Sequence, residues 1–101
     1  MSLKMHYTYD GEEFTLAMAK ACVGPGWGGL VEEAYEALPD GATIAQIKEK
    51  FGGLRVYAYP SVEAITAIEA RSETVCEDCG APGRPRKGRW IRTLCDACAL
   101  L

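Results

Sequence analysis

Apolar positions along this 101-residue chain change period several times, and each change predicts an element. From Met5 to Tyr9, alternating aromatic and β-branched residues lead into a turn at Asp10-Gly11, which predicts a short strand. Between Glu12 and Val23, Phe14, Met18, Ala21 and Cys22 recur at helical spacing behind an acidic first turn. The run Gly24-Pro25-Gly26-Trp27-Gly28-Gly29 breaks that helix. A second helix follows, with Leu30, Val31, Ala34, Tyr35 and Leu38 on one face and Glu32, Glu33 and Glu36 on the wet one. Pro39-Asp40-Gly41 ends it.

Thr43 is placed to cap a third helix, Ile44 to Phe51, whose Ile44, Ile47 and Phe51 share a face, with Gly52-Gly53 as its left-handed end. A hairpin across Gly52-Gly53 is the competing arrangement, and the helix is the preferred one. Leu54 to Tyr59, rich in β-branched and aromatic residues, is the best strand in the chain. Pro60 stops it, and Ser61 is positioned to cap a helix through about Ser72 with Val62, Ala64, Ile65 and Ile68 inward. These elements predict an α+β body over residues 1–73, with no internal repeat.

Beyond residue 73 the apolar pattern thins and cysteine takes over. Cys76, Cys79, Cys95 and Cys98 form two C-x2-C pairs with fifteen residues between them, a spacing that fits a two-knuckle metal site. Each pair offers two thiolates on one face of a tight turn, and two facing turns complete a tetrahedron. An all-sulfur set with no redox partner favours one structural Zn2+ over iron. Gly80 tolerates the backbone that turns amides toward the sulfurs, and Arg89 to Leu94 reads as a strand returning to the second knuckle. The last predicted helix runs almost directly into Cys76, so residues 74–101 are expected to form a zinc ribbon docked on the body. A dithiol redox centre would need a βαβ context, which is absent. A catalytic zinc keeps an open position, whereas four cysteines fill the shell and the lone His6 is distant.

Composition sets the context. The chain is 49% apolar and 25% charged, as a folded domain requires. It has no run of about eighteen apolar residues and no signal-peptide pattern at its start, so a cytoplasmic location and no membrane partner are expected. A reducing compartment favours thiolate–metal bonds over disulfides. The fifth cysteine, Cys22, is then expected to be a small buried hydrophobe.

Net charge is −3, but residues 1–73 carry −5 and residues 74–101 carry +2. Four thiolates and one Zn2+ add −2, which brings the loaded tail close to neutral. The acidic body argues for a protein partner and against broad affinity for phosphate backbones. The alternative is nucleic-acid binding through the ribbon, with Arg84, Arg86, Lys87, Arg89 and Arg92 on phosphates and Trp90 as a stacking face. Against it, Trp90 and Ile91 are expected to pack the ribbon on the body. Trp27 is the candidate anchor for a partner if exposed, although large aromatics are mostly buried. No Ser–His–Asp set or nucleotide fingerprint is present, so neither catalysis nor a small-molecule substrate is expected. Lys48-Glu49-Lys50-Phe51-Gly52-Gly53-Leu54-Arg55 lacks a phosphate-loop pattern, and its glycines are accounted for by an element boundary.

In combination, these segments resemble a known group. Gly-x-Gly-Trp, then Ile47-Lys48-Glu49-Lys50-Phe51-Gly52-Gly53-Leu54-Arg55-x-Tyr57, then Cys76-x2-Cys79-Gly80-Ala81-Pro82-Gly83 and Trp90-x2-Thr93-Leu94-Cys95 are similar to a group of small uncharacterised bacterial and phage-associated proteins. The likeness covers most of the chain from about Gly24. It implies a C-terminal zinc ribbon and a mobile-element origin, and it brings no activity. Many members carry histidine where this chain has Cys98, so the resemblance implies a four-sulfur variant of a three-sulfur, one-nitrogen site.

Overall fold

In the computed structural model, residues 4–100 are described; Leu101 and the first three residues of the start read above for a signal peptide lie outside them. The described residues fold as α+β, with helices α1 (Leu16–Ala21), α2 (Gly28–Ala37), α3 (Glu63–Ser72) and α4 (Asp96–Ala99). The strands are β1 (Thr43–Lys50), β2 (Gly53–Tyr59), β3 (Arg84–Arg86) and β4 (Arg92–Leu94), and a 3-10 turn spans Pro25–Trp27. β1 pairs with β2 and β3 with β4, both antiparallel, making two separate two-stranded sheets.

The largest departure from the sequence reading is β1. Residues 44–51 were expected to be helical, yet Thr43–Lys50 is a strand and the competing hairpin is correct. The reason is a bulge: the register shifts between Ile44 and Gln46, so Ala45 is inserted and Ile44 and Ile47 both face inward although three residues apart. A bulged strand thereby imitates the helical i, i+3 pattern. The turn is a two-residue loop with Phe51 at φ 53° and Gly52 at φ 81°, the type I′ geometry that matches strand twist.

Other expectations are trimmed. The strand expected over Met5–Tyr9 shrinks to isolated bridges from Tyr7 to Glu13 and Thr43. α1 starts at Leu16, capped by the Thr15 hydroxyl, which accepts from the Met18 amide; Glu12 and Glu13 therefore precede it. Its buried residue is Ala19, while Met18, Ala21 and Cys22 are exposed, so Cys22 is not the buried hydrophobe expected. The cap of α3 is Val62 rather than Ser61, and Ala64 faces solvent.

One core joins these pieces. Leu30, Val31, Ala34 and Tyr35 of α2, Ile65 and Ile68 of α3, and Ile44, Ile47, Leu54, Val56 and Ala58 of the hairpin bury one another around Trp27. All three body helices contribute to this core, so the β1–β2 hairpin has one covered face and one open to solvent. The upper edge of β2 is satisfied by α3 side chains: Leu54 N donates to Ser72 Oγ and Val56 N to Glu69 Oε2. Buried His6 contributes an edge-on contact with Tyr35 and a 2.8 Å hydrogen bond between Nε2 and the Tyr35 carbonyl.

Candidate metal centre

Both cysteine pairs sit on tight turns that meet. The first knuckle is closed by Cys76 N donating to Ala81 O and by Gly80 N donating to Cys76 O, with Gly80 at φ 84°. The second opens α4, where Cys95 is the N-cap and its sulfur accepts from Cys98 N at 3.4 Å. β3 and β4 connect the two knuckles in register Arg84↔Leu94 to Arg86↔Arg92.

The four Sγ atoms of Cys76, Cys79, Cys95 and Cys98 lie within 4.8 Å of one another, and Cys79 and Cys95 are 3.6 Å apart. A tetrahedron of sulfurs at a metal–sulfur distance of ~2.3 Å has edges of about 3.8 Å. The four residues could therefore hold a metal ion. Electrostatics point the same way. Burial by itself would raise the Cys76 thiol, but amides of Cys95, Cys79 and Asp78 aimed at its sulfur bring it down to about 6. The sulfurs of Cys95, Cys76 and Cys79 push Cys98 in the opposite direction, upward. The cluster thus accepts one negative charge readily and resists the next, a conflict that a bound cation removes.

The two glycine-rich segments of the body hold this centre. Gly26 N donates to Glu77 O at 2.7 Å, and Trp27 Nε1 donates to Val75 O at 2.8 Å. A Cβ on Gly26 would lie 2.0 Å from Cys76 O, and one on Gly24 2.5 Å from Glu77 O. On the other side, Thr93 Oγ1 donates to Gly52 O at 2.6 Å, and a Cβ on Gly52 would press on Ile91 and Thr93. Buried Glu77 ties the knuckle to β4: its amide donates to Thr93 O and its carboxylate accepts from Thr93 N at 2.7 Å. Burial raises the Glu77 carboxyl, and the Thr93 amide partly offsets that. The Glu77–Thr93 pair had no sequence signal beyond an acid next to a ligand cysteine.

The remaining candidates divide. Trp27 is fully buried, so it is no exposed anchor for a partner. Trp90 is 68% exposed, so it does not pack the ribbon on the body; half-buried Ile91 does, against Gly52. Arg86 is committed to Asp96 at 2.7 Å and to Leu94 O, and Arg92 to Asp78 at 2.7 Å. Arg84, Lys87 and Arg89 are exposed and make no ion pair among the described residues. Glu32 pairs with Lys20 of α1 on the wet side of α2, and Glu33 pairs with Arg71 of α3, both of which line an open groove of about 750 Å³ between α2 and α3. No helix among the described residues is long and apolar enough to cross a membrane.

No protein-family model, curated protein or solved structure matches the chain.

Proposed function

We propose that the chain is a non-enzymatic interaction module in which one structural Zn2+ staples the C-terminal ribbon to the α+β body. The observation that carries this is the four-sulfur cluster itself, whose geometry suits a closed tetrahedral shell with no ligand position left for substrate. The metal's contribution is folding free energy: residues 76–98 hold a satellite core of only Cys76, Leu94 and Cys95, too little to order two sheet strands alone. The resemblance to phage-associated proteins supports a mobile-element origin.

A nucleic acid is favoured as the partner over a protein by the paired fates of the two tryptophans. Trp27, the feature suited to a protein pocket, is spent on the internal knuckle contact. Trp90 stands in solvent beside Arg89, and Arg84, Lys87 and Arg89 make no ion pair among the described residues. An exposed indole among free cations is the composition of a stacking surface for bases.

Elemental analysis of the purified chain tests the first statement. One zinc per chain, lost with Cys76→Ser, is expected. A chain that is fully folded with no bound metal overturns it.

A further inference from the structure

The outward face of the β1–β2 hairpin differs in chemistry from the rest of the molecule. Opposite the core it presents Gln46, Lys48 and Lys50 on β1 and Arg55, Tyr57 and Tyr59 on β2, in cross-strand pairs Gln46↔Tyr57 and Lys48↔Arg55. Among the described residues that face has three cations and no carboxylate of β1 or β2, in a chain whose net charge is −3. The acidic side chains of β1 and α2 are elsewhere: Glu49 turns back to accept from Gly52 N, and Glu32, Glu33 and Glu36 lie on the helical layer. Charge is thus separated between the two layers of the body, and the sheet layer is the positive one.

Its aromatic rings are left in solvent. Tyr57, Tyr59 and Phe51 are 38%, 60% and 69% exposed, and Tyr9 adds a fourth ring 6.3 Å from Tyr59. Phe51 at the hairpin tip is doubly unfavourable, since it is apolar in water and holds φ 53°, where a glycine or asparagine costs less. Lys48 lies 5.9 Å over the Tyr57 ring and Lys50 5.8 Å over Phe51, so each lysine is beside a ring, while the Arg55 guanidinium donates to Leu54 O at 2.9 Å. Rings with adjacent cations, on strand faces that present no carboxylate of β1 or β2, match alternating bases and phosphates.

The spacing selects the strand state. Tyr57 and Tyr59 are two residues apart on one strand, about 6.6 Å, which is twice the ~3.4 Å rise of stacked bases in a duplex. Bases inside a duplex are also unavailable to side-chain rings, whereas those of a single strand can splay and stack. We propose that this hairpin face, through Tyr57, Tyr59 and Phe51 with Lys48, Lys50 and Arg55, binds single-stranded nucleic acid as an aromatic stacking platform. The proposal builds on the nucleic-acid reading of the partner but places the main contact on the body, away from the ribbon loop. The hairpin tip abuts the ribbon where Gly52 meets Ile91 and Thr93.

Anisotropy of labelled oligo-dT and oligo-rU about twelve nucleotides long, and of a duplex of equal length, tests it on the zinc-loaded full chain at low salt. Single strands are expected to bind and the duplex to bind more weakly. Tyr57→Ala and Tyr59→Ala should each weaken binding about 5- to 150-fold, with Tyr57→Phe restoring it. Lys48→Gln/Lys50→Gln should reduce the salt dependence. Circular dichroism and zinc content serve as folding controls, and the Lys48→Gln/Lys50→Gln salt dependence keeps the test decisive where an alanine variant fails to fold. Binding lost only in Arg89→Glu/Trp90→Ala, with the hairpin variants unchanged, overturns the proposal and leaves the ribbon loop as the site. No binding of any single strand overturns both and leaves a protein as the occupant of this face. Equal affinity for duplex also overturns it.

Discussion

Trp27 Nε1 donates a 2.8 Å hydrogen bond to the carbonyl of Val75, the residue before Cys76, the first of the four cysteines that could hold a metal ion. The indole is fully buried in the body's core, yet its one polar atom is spent on the ribbon. Together with the Gly26–Glu77 bond, this couples the order of the knuckle to the packing of the body.

That coupling predicts a fluorescence signal for metal loss. In a Trp90→Phe background, emission reports Trp27 alone and should be blue-shifted in the loaded protein. Chelation should shift it red and should open residues 76–98 to proteolysis. An unchanged spectrum after complete metal removal would show that the body holds its form without the staple.

Gly26 tolerates no side chain. A Cβ there meets backbone on two sides, Cys76 O at 2.0 Å and Gly80 N at 2.6 Å, and neither can swing away. Gly26→Ala should therefore cost more than about 3 kcal/mol, beyond ordinary overpacking. Gly29→Ala, in α2 with open space around it, should instead stabilise by about 0.5–1 kcal/mol. Urea unfolding of both variants checks the contrast, and similar midpoints would refute it.

Glu77 can be separated into an acceptor and a charge. Glu77→Ala leaves the buried Thr93 amide unpaired and should cost about 1–3 kcal/mol. Glu77→Gln keeps an acceptor. Because burial raises the carboxyl above its usual 4.5, the folded state favours the protonated form. The stabilisation from this shift is full below 4.5 and is lost as pH rises through the folded value. Relative to Glu77→Gln, the wild type should lose stability with rising pH in that window, measured as urea midpoints with excess zinc. The opposite slope would mean that the Thr93 amide and the Arg92 guanidinium, 3.8 Å from the carboxylate, outweigh burial.

Phe51→Asn should stabilise the hairpin by about 1 kcal/mol, since asparagine accepts the left-handed backbone that phenylalanine is forced into. The same change should weaken oligonucleotide binding. A thermal melt that falls instead would show that the Phe51 ring contributes packing its exposure does not reveal.

Much of the body was legible from local pattern. The second helix, the Leu54–Tyr59 strand and the helix ending at Ser72 carry their periods and stop signals within a few residues, as local propensity requires. Where a tertiary device interrupted the period, the pattern misled. The bulge at Ala45 gave β1 a helical signature, and burial of Ala19 rather than Met18 depended on how α1 meets α2.

From its residues alone this chain declared a four-cysteine cluster, because ligand spacing is a local property of two tight turns. The sequence also separated an acidic body from a basic tail. Only the folded chain decided what the glycines are for: they let backbone approach backbone between segments some fifty residues apart, a contact with no footprint in local composition. Tertiary packing likewise chose which tryptophan is buried. Both sit in glycine-bearing loops, and only the Trp27 loop is covered by the knuckle, so burial followed from the docking geometry rather than from the side chain.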